Sequence, residues 1–198
     1  MKQVQQFEEK IAEFYGSKYA VATDCCTHAI ELCLRYTTPK WLTVPAHTYL
    51  SVPMTLNKLG YKYSMTNEMW EDYYYIGNTQ IIDGAVYWKK KGYENHTFLC
   101  LSFQHKKHLS LGRGGMILTN DEQAAKDLKK MSYDGRLPDV LWAEQNVDML
   151  GYHYYMTPEI AQQGIQRFEE VKDIVSKRWT YRDYPNLTNM RIFNEQSQ

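Results

Sequence analysis

Short apolar runs that alternate with amphipathic segments constrain the fold of this chain most strongly. The runs are residues 19–23 (YAVAT), 42–45 (LTVP), 80–83 (QIID), 97–103 (TFLCLSF) and 116–121 (MILTND). Strands that are apolar along most of their length are buried on both faces, as in a parallel sheet covered by helices on each side. The sequence therefore predicts an α/β fold with a mostly parallel sheet and helices on both faces.

In the segments between these runs, apolar residues recur at the spacing of an α-helix. Apolar residues recur at helical spacing from Phe7 to Tyr15, and Gly16 is well placed to end that helix. Further helices are predicted in residues 28–36, 51–60 and 122–131. From Thr157 as N-cap and Pro158 as first residue, the stretch TPEIAQQGIQRFEEVKDIVSKRWTYRDY predicts one long helix.

Composition excludes several classes of partner. The 198 residues carry 23 basic and 23 acidic side chains, so the net charge of zero argues against nucleic acid or an anionic membrane as the main partner. No apolar stretch reaches transmembrane length, and the N-terminal residues lack the apolar core of a signal peptide. The four cysteines form no CxxC pair, which predicts reduced thiols in a cytoplasmic protein.

Candidate functional residues follow the predicted strands. In parallel sheets the ligand crevice lies beyond the C-terminal ends of the strands. The first strand leads into the helix at DCCTHAIEL, where Thr27 could bind a phosphate or serve as an ordinary N-cap. Asp83 ends its strand, where it could cap the next turn, pair with a protonated heterocycle, or bind a metal.

The segment HKKH at residues 105–108 offers three interpretations. His105 and His108 have a spacing used by some zinc sites, but no CxxC or HExxH accompanies them, so no metal is predicted. The two lysines could form a solvated basic loop, or one could act as a nucleophile toward a carbonyl. A helix start suited to phosphate, a lone aspartate and a lysine at neighbouring strand ends together favour a pyridoxal phosphate (PLP) site.

Four motifs, in order along the chain, resemble the DegT family of PLP-dependent nucleotide-sugar aminotransferases. They are FEEKIAEFYGSKYAVATDCCTHAIELCL, VPAHTYLSVPMTLNKLG, SFQHKKHLSLGRGGMILTND and LGYHYYMTPEIAQQG. The resemblance implies the aspartate-aminotransferase-like fold, known as fold type I of PLP enzymes.

The resemblance also implies roles for individual residues. Lys107, rather than Lys106, matches the lysine that condenses with the cofactor aldehyde, and Asp83 matches the partner of the pyridine nitrogen. Tyr49 would stack on the ring. The phosphate would be held by Ser102, Thr27, the backbone around Cys26 and, from the neighbouring subunit, His153. A homodimer with shared active sites is therefore expected.

The chain departs from the family pattern at several positions. The family turn Ser-Gly-Thr is Cys25-Cys26-Thr27. Val86 takes the place of the family's cofactor-binding glutamine three residues after the aspartate, so it is expected beside the cofactor but without the glutamine's polar contact. The chain also has His153 where the family has asparagine, Tyr155 where it has arginine and Arg113 where it has glutamate. These changes affect inherited substrate detail more than cofactor binding.

Two regions typical of the family are missing. The stretch between Gly60 and Asp83 is too short for the usual strand, helix and strand, and no small C-terminal domain follows the last helix. We therefore expect a truncated member with about five or six strands. Residues 1–185 would form a single PLP-binding large domain, and residues 186–198 a polar, partly disordered tail. The wall that the small domain normally provides would come from the dimer partner, or the site would be open.

The expected activity is transamination. An amino acid donor, glutamate on family grounds, would convert PLP to pyridoxamine phosphate, and a keto sugar attached to a nucleotide would then accept the amino group. One alternative is a catalytically silent PLP- or nucleotide-binding module. Another is a pyridoxamine phosphate-dependent sugar dehydratase, although relatives with that activity carry histidine at the position of Lys107.

Overall fold

A computed structural model describes residues 1–194. Its α-helices are α1 Lys2–Tyr15, α2 Cys26–Thr37, α3 Ser51–Lys58, α4 Glu122–Ser132, α5 Pro158–Val171 and α6 Arg191–Asn194. Short 3₁₀ helices span Trp142–Glu144, Tyr181–Asp183 and Leu187–Asn189. The strands are β1 Tyr19–Thr23, β2 Leu42–Pro45, β3 Tyr63–Thr66, β4 Tyr74–Tyr75, β5 Ile81–Asp83, β6 Phe98–Ser102 and β7 Gly115–Thr119.

Five strands form the main sheet in the order β1-β7-β6-β5-β4. β5 and β6 pair in parallel, whereas β7 is antiparallel to both of its neighbours and β4 is antiparallel to β5. The sheet is thus less parallel than the sequence predicts. The connection between β6 and β7 is consistent with this arrangement, because residues 103–114 contain no helix and a parallel crossover usually includes one.

The strands β2 and β3 form a separate two-stranded parallel sheet, with Leu42 opposite Tyr63. Helix α3 connects them, as a parallel crossover requires. Residues 42–45 therefore form a strand as predicted, but β2 and β3 do not join the main sheet.

Helices cover both faces of the main sheet, which confirms the predicted α/β class. Adjacent residues of each strand point to opposite faces. On one face, Val21 and Ile117 pack with α2 and α4 in an apolar core; on the other, Ala22 and Met116 pack with α1 and α5. Helix α1 ends as predicted at Gly16, whose φ of 82° is the left-handed conformation that glycine adopts readily.

The last long helix is shorter than predicted. Thr157 and Pro158 begin α5 as expected, but the helix ends at Val171 rather than continuing to residue 184. Beyond it the chain returns to the domain and pairs with the segment before β4: Asp72 N donates to Trp179 O over 2.8 Å, and Tyr181 N donates to Trp70 O over 3.0 Å. These long-range backbone bonds replace the helical bonds that the local pattern predicted.

Up to residue 194, the segment after residue 185 packs against the domain, whereas the sequence suggested a partly disordered tail. Leu187 is buried and its N–H donates to Ala46 O over 2.8 Å, while Phe193 is buried in the short helix α6. Two apolar side chains therefore attach this segment to the domain. Residues 195–198 lie outside the described residues. None of the helices between residues 1 and 194 combines the length and the apolar character that crossing a membrane requires.

A buried carboxylate links α2 to its neighbours. Glu31 accepts hydrogen bonds from Arg35 at 2.8 Å, from Lys58 of α3 at 2.9 Å and from the Tyr154 hydroxyl at 3.2 Å. Burial alone would raise the pKa of Glu31, but the bonds from Lys58 and Arg35 together lower it below its usual value.

Replacing Glu31 with glutamine should lower the free energy of unfolding at pH 7 by about 1–3 kcal/mol, because charge-assisted hydrogen bonds are lost. A carboxyl whose pKa is depressed by folding stabilises the protein above its unfolded pKa, and this contribution is lost as the pH falls through the folded value. Urea titrations should therefore show a smaller difference between wild type and variant at pH 3 than at pH 7. An equal difference at both pH values would contradict this role; Glu122→Gln, on the surface of α4, is the control.

Candidate active site

A cavity of about 550 Å³ lies beyond the C-terminal ends of β5 and β6. Six of the eight residues predicted to bind the cofactor or react with it line this cavity: Cys26, Thr27, Tyr49, Asp83, Ser102 and Lys107. They come from the start of α2, the loop before α3, the ends of β5 and β6, and the loop after β6. The volume is within the range of small-molecule sites.

Asp83, the last residue of β5, is buried and keeps its carboxylate at the cavity. Its Oδ1 accepts from Ala85 N at 2.9 Å, and its Oδ2 accepts from the Tyr74 hydroxyl at 2.6 Å. Burial raises the pKa of Asp83 despite these two bonds. The bond to Ala85 is the turn cap that the sequence offered as one role for Asp83. The carboxylate can still accept a further hydrogen bond from a cationic partner in the cavity.

Lys107 follows β6 in a turn in which its N–H donates to Gln104 O at 2.8 Å. Burial lowers the pKa of Lys107, and the nearby charge of Asp83 opposes that shift. Lys106 also lines the cavity, but its residue is exposed, whereas Lys107 is half-buried. Of the two lysines, Lys107 is therefore the one in the less hydrated position, opposite a buried carboxylate.

The turn before α2 differs in detail from the prediction. The N-cap of α2 is Cys25, so Thr27 lies within the first turn and is not a cap; its hydroxyl is 2.8 Å from Ser51 Oγ. The residue that allows a close backbone approach is Gly115, the first of β7. A Cβ there would lie 2.5 Å from Cys26 N, so a larger residue would displace the turn. Ser102 pairs with Gly115 and also faces the cavity.

Two predicted residues lie outside the cavity. Val86 borders a separate small space of about 20 Å³, which it shares with Lys107 and Trp88. His153 is exposed, and its Nδ1 lies 3.2 Å from the Asp134 carboxylate. His153 therefore contributes nothing to the site of its own chain, and its predicted contact with a partner subunit stays a prediction.

The two histidines near Lys107 do not come together. His108 Nε2 lies 3.1 Å from Val171 O, and its ring packs near Trp88, whereas His105 is exposed. Within residues 1–194, three potential metal-ligating side chains cluster only at Asp24, Cys25 and His28.

Trp179 and Tyr184 line the cavity and were missed by the sequence analysis. The Lys107 Nζ lies 5.9 Å from the centre of the Trp179 ring. Trp179 is fixed by Asp72, whose Oδ1 accepts from Trp179 N at 3.1 Å. The sequence placed both aromatics on a continuing helix, so nothing local indicated that they return to the site. Part of the wall that the sequence analysis expected from a partner therefore comes from this chain.

These residues fit PLP. The cavity combines a partly desolvated amine, a buried carboxylate with one side still open, and free N–H groups at the start of the 12-residue helix α2. An amine, an acid for a ring nitrogen and an anion site are the three groups that this cofactor requires of a protein.

Fold and site place the chain with the large domains of fold type I PLP enzymes. It belongs to the DegT/DnrJ/EryC1/StrS aminotransferase family, whose model matches residues 1–81 and 83–187. No curated protein matches the chain in sequence.

Solved structures share the fold at low sequence identity. AtS13 from Actinomadura melliaura superposes with a TM-score of 0.75 at 18% identity, over 87% of this chain and 61% of that one. A DegT DnrJ EryC1 StrS aminotransferase from Brucella abortus gives 0.73 at 16% identity, over 87% and 60%. The sugar aminotransferase CalS13 from Micromonospora echinospora gives 0.70 at 12% identity, over 87% and 62%. The chain thus spans about three fifths of the length of these relatives.

Proposed function

We propose that this protein is a PLP-dependent aminotransferase that moves an amino group from an amino acid, glutamate first among candidates, to a keto sugar linked to a nucleotide. The observation that carries the proposal is the pairing of Lys107 with Asp83 across one cavity next to the start of α2. Family membership and the fold shared with the sugar aminotransferase CalS13 support a sugar as the acceptor.

Five residues of the cavity would hold the cofactor. Asp83 would keep the ring nitrogen protonated, and Tyr49 would stack on the ring. Thr27, Ser102 and the backbone N–H of Cys26 would bind the phosphate at the positive end of the α2 dipole. When bound, PLP supplies an electron sink for the pair of electrons released when a substrate C–H bond breaks.

Lys107 would act twice. Its lowered pKa increases the fraction of neutral amine, which is the form that attacks a carbonyl and accepts a proton. The Lys107 amine would also serve as the base that takes a proton from the substrate carbon and as the acid that returns it. Trp179 and Tyr184 would limit the access of water to that proton.

The proposed assembly is a homodimer with shared active sites in the cytoplasm. Its support is the exposure of large apolar side chains in the segment that precedes His153, at Leu137, Leu141, Trp142 and Leu150. An apolar surface of this kind is typical of a contact between subunits. His153 would reach the phosphate of the partner subunit's cofactor from this surface.

The test is a single-turnover reaction with glutamate. Purified protein loaded with PLP should lose its visible absorption when glutamate is added, and should release about one 2-oxoglutarate per bound cofactor, as expected for the first half of a two-step exchange. Alanine and aspartate serve as alternative donors. A cofactor spectrum that no amino donor changes would contradict the proposal and favour the catalytically silent module.

A further inference from the structure

A second group of reactive side chains lies at the edge of the cavity. Asp24 and Cys25 precede α2, and His28 lies in its first turn. Arg113 lies in the loop before β7. The ligating atoms of Asp24, Cys25 and His28 lie within 4.8 Å of one another. Cys25 and Arg113 also line the cavity.

Hydrogen bonds hold these side chains in place. His28 Nδ1 lies 2.6 Å from Asp24 Oδ1, and Arg113 Nη2 donates to Asp24 Oδ2 at 2.7 Å. The His28 ring stacks on Tyr154 with 3.6 Å between ring centres. Both cationic side chains are therefore oriented by one carboxylate beside the sulfur of Cys25.

Two cationic side chains and the start of a helix surround Cys25. Burial alone would lower the pKa of His28, but hydrogen bonds with Asp24 and Cys25 outweigh it and raise this pKa to about 9, so the ring is a cation at neutral pH. Arg113 adds a second cation that interacts with Cys25. As N-cap, Cys25 also lies at the positive end of the α2 dipole.

We propose that Cys25 is a reactive thiol, activated by His28 and Arg113, and a site of modification by peroxides and alkylating electrophiles. With hydrogen peroxide, the thiolate sulfur bonds to one oxygen as the O–O bond breaks; sulfur is oxidised by two electrons to a sulfenic acid, and the second oxygen leaves as hydroxide, which is protonated to water. With iodoacetamide, an S–C bond forms and iodide leaves.

The other cysteines differ in ways that make the modification selective. Cys26, Cys33 and Cys100 are buried, and burial raises the pKa of Cys26 and Cys100 well above the usual thiol value. Cys25 alone among the four is partly accessible. The same cluster is a poor cation site, because Arg113 already neutralises the Asp24 carboxylate.

Site-resolved alkylation tests this proposal. Cofactor-free protein at pH 7 with EDTA is treated with iodoacetamide for increasing times, and the labelling rate of each cysteine is measured by mass spectrometry in the folded chain and in urea. Exposure alone cannot make a folded thiol faster than the same thiol in the unfolded chain. A thiol held beside two cationic side chains at a helix start can, and we expect Cys25 to exceed its unfolded rate about tenfold. The other three cysteines should react more slowly than in urea.

Variants identify the cause. Arg113→Gln, at an exposed position, should slow the labelling of Cys25 several-fold without loss of helical signal, and His28→Asn should slow it further. Lys126→Gln, which removes an exposed cation of α4, is the matched control. A folded rate for Cys25 at or below its unfolded rate, or equal rates in Arg113→Gln and Lys126→Gln, would overturn the proposal.

The consequence for the site rests on the proposed function. Because Cys25 lines the cavity next to Thr27, PLP bound there should protect Cys25 from iodoacetamide. The cofactor-free rates test the thiol alone, so a reactive Cys25 that PLP does not protect would count against the cofactor site and not against the thiol.

Discussion

Lys107→Ala will abolish covalent retention of PLP, whereas Lys106→Ala will leave it intact. After PLP loading and reduction with borohydride, wild type and Lys106→Ala should each gain the mass of one reduced cofactor, and Lys107→Ala should gain none. The two lysines are adjacent and both reach the cavity, so these variants form a matched pair. Unfolded protein would react with PLP at many lysines, so circular dichroism is used to check that each variant is folded.

The physical reason for this difference is hydration. Lys107 is half-buried near the Trp179 ring, and its pKa is lowered by burial, so it loses its proton more easily than an exposed lysine. Equal retention in the two variants, or loss in Lys106→Ala alone, would show that the reactive amine has been assigned to the wrong residue.

Asp83→Ala will reduce the rate of amino-group transfer by about 10²–10³-fold, the loss expected when one preorganised electrostatic partner is removed from an active site. Without this carboxylate the ring nitrogen of PLP loses its proton and the ring withdraws electrons less strongly. Removal of Asp83 also removes an interaction that raises the pKa of Lys107, so that pKa should fall further. The measurements are single-turnover rates with glutamate and the pH dependence of the visible absorption.

Tyr74→Phe separates the charge of Asp83 from its surroundings. The Tyr74 hydroxyl donates to Asp83 Oδ2 at 2.6 Å and lowers the pKa of the carboxyl, so its loss should raise that pKa and reduce the rate less than Asp83→Ala does. A rate in Asp83→Ala equal to that of wild type would contradict the role of Asp83 with the ring nitrogen.

The sequence predicted those parts of the site that depend on strand ends. Asp83 and Lys107 each follow a continuous apolar run, and parallel neighbours such as β5 and β6 end at the same edge of a sheet. Motif resemblance then selected Lys107 over its neighbour. The structure brings both residues to one cavity, although their chemical roles stay predictions.

Features that depend on long-range contacts could not be predicted. The helical pattern of the sequence continues past Val171, but the Trp179 N–H donates instead to Asp72, about a hundred positions earlier in the chain. The turn before α2 lacks the family glycine, and the close approach depends instead on Gly115 in another strand. In both cases the decisive contact is with a residue distant in the sequence, so neighbouring residues do not predict it.

A crystal structure of the protein with PLP would show directly whether Lys107 and Asp83 hold the cofactor. We expect continuous density from Lys107 Nζ to the cofactor, the Asp83 carboxylate within hydrogen-bond distance of the ring nitrogen, and the phosphate against Thr27 and Ser102. Density joined to another lysine, or a cofactor ring distant from Asp83, would contradict it.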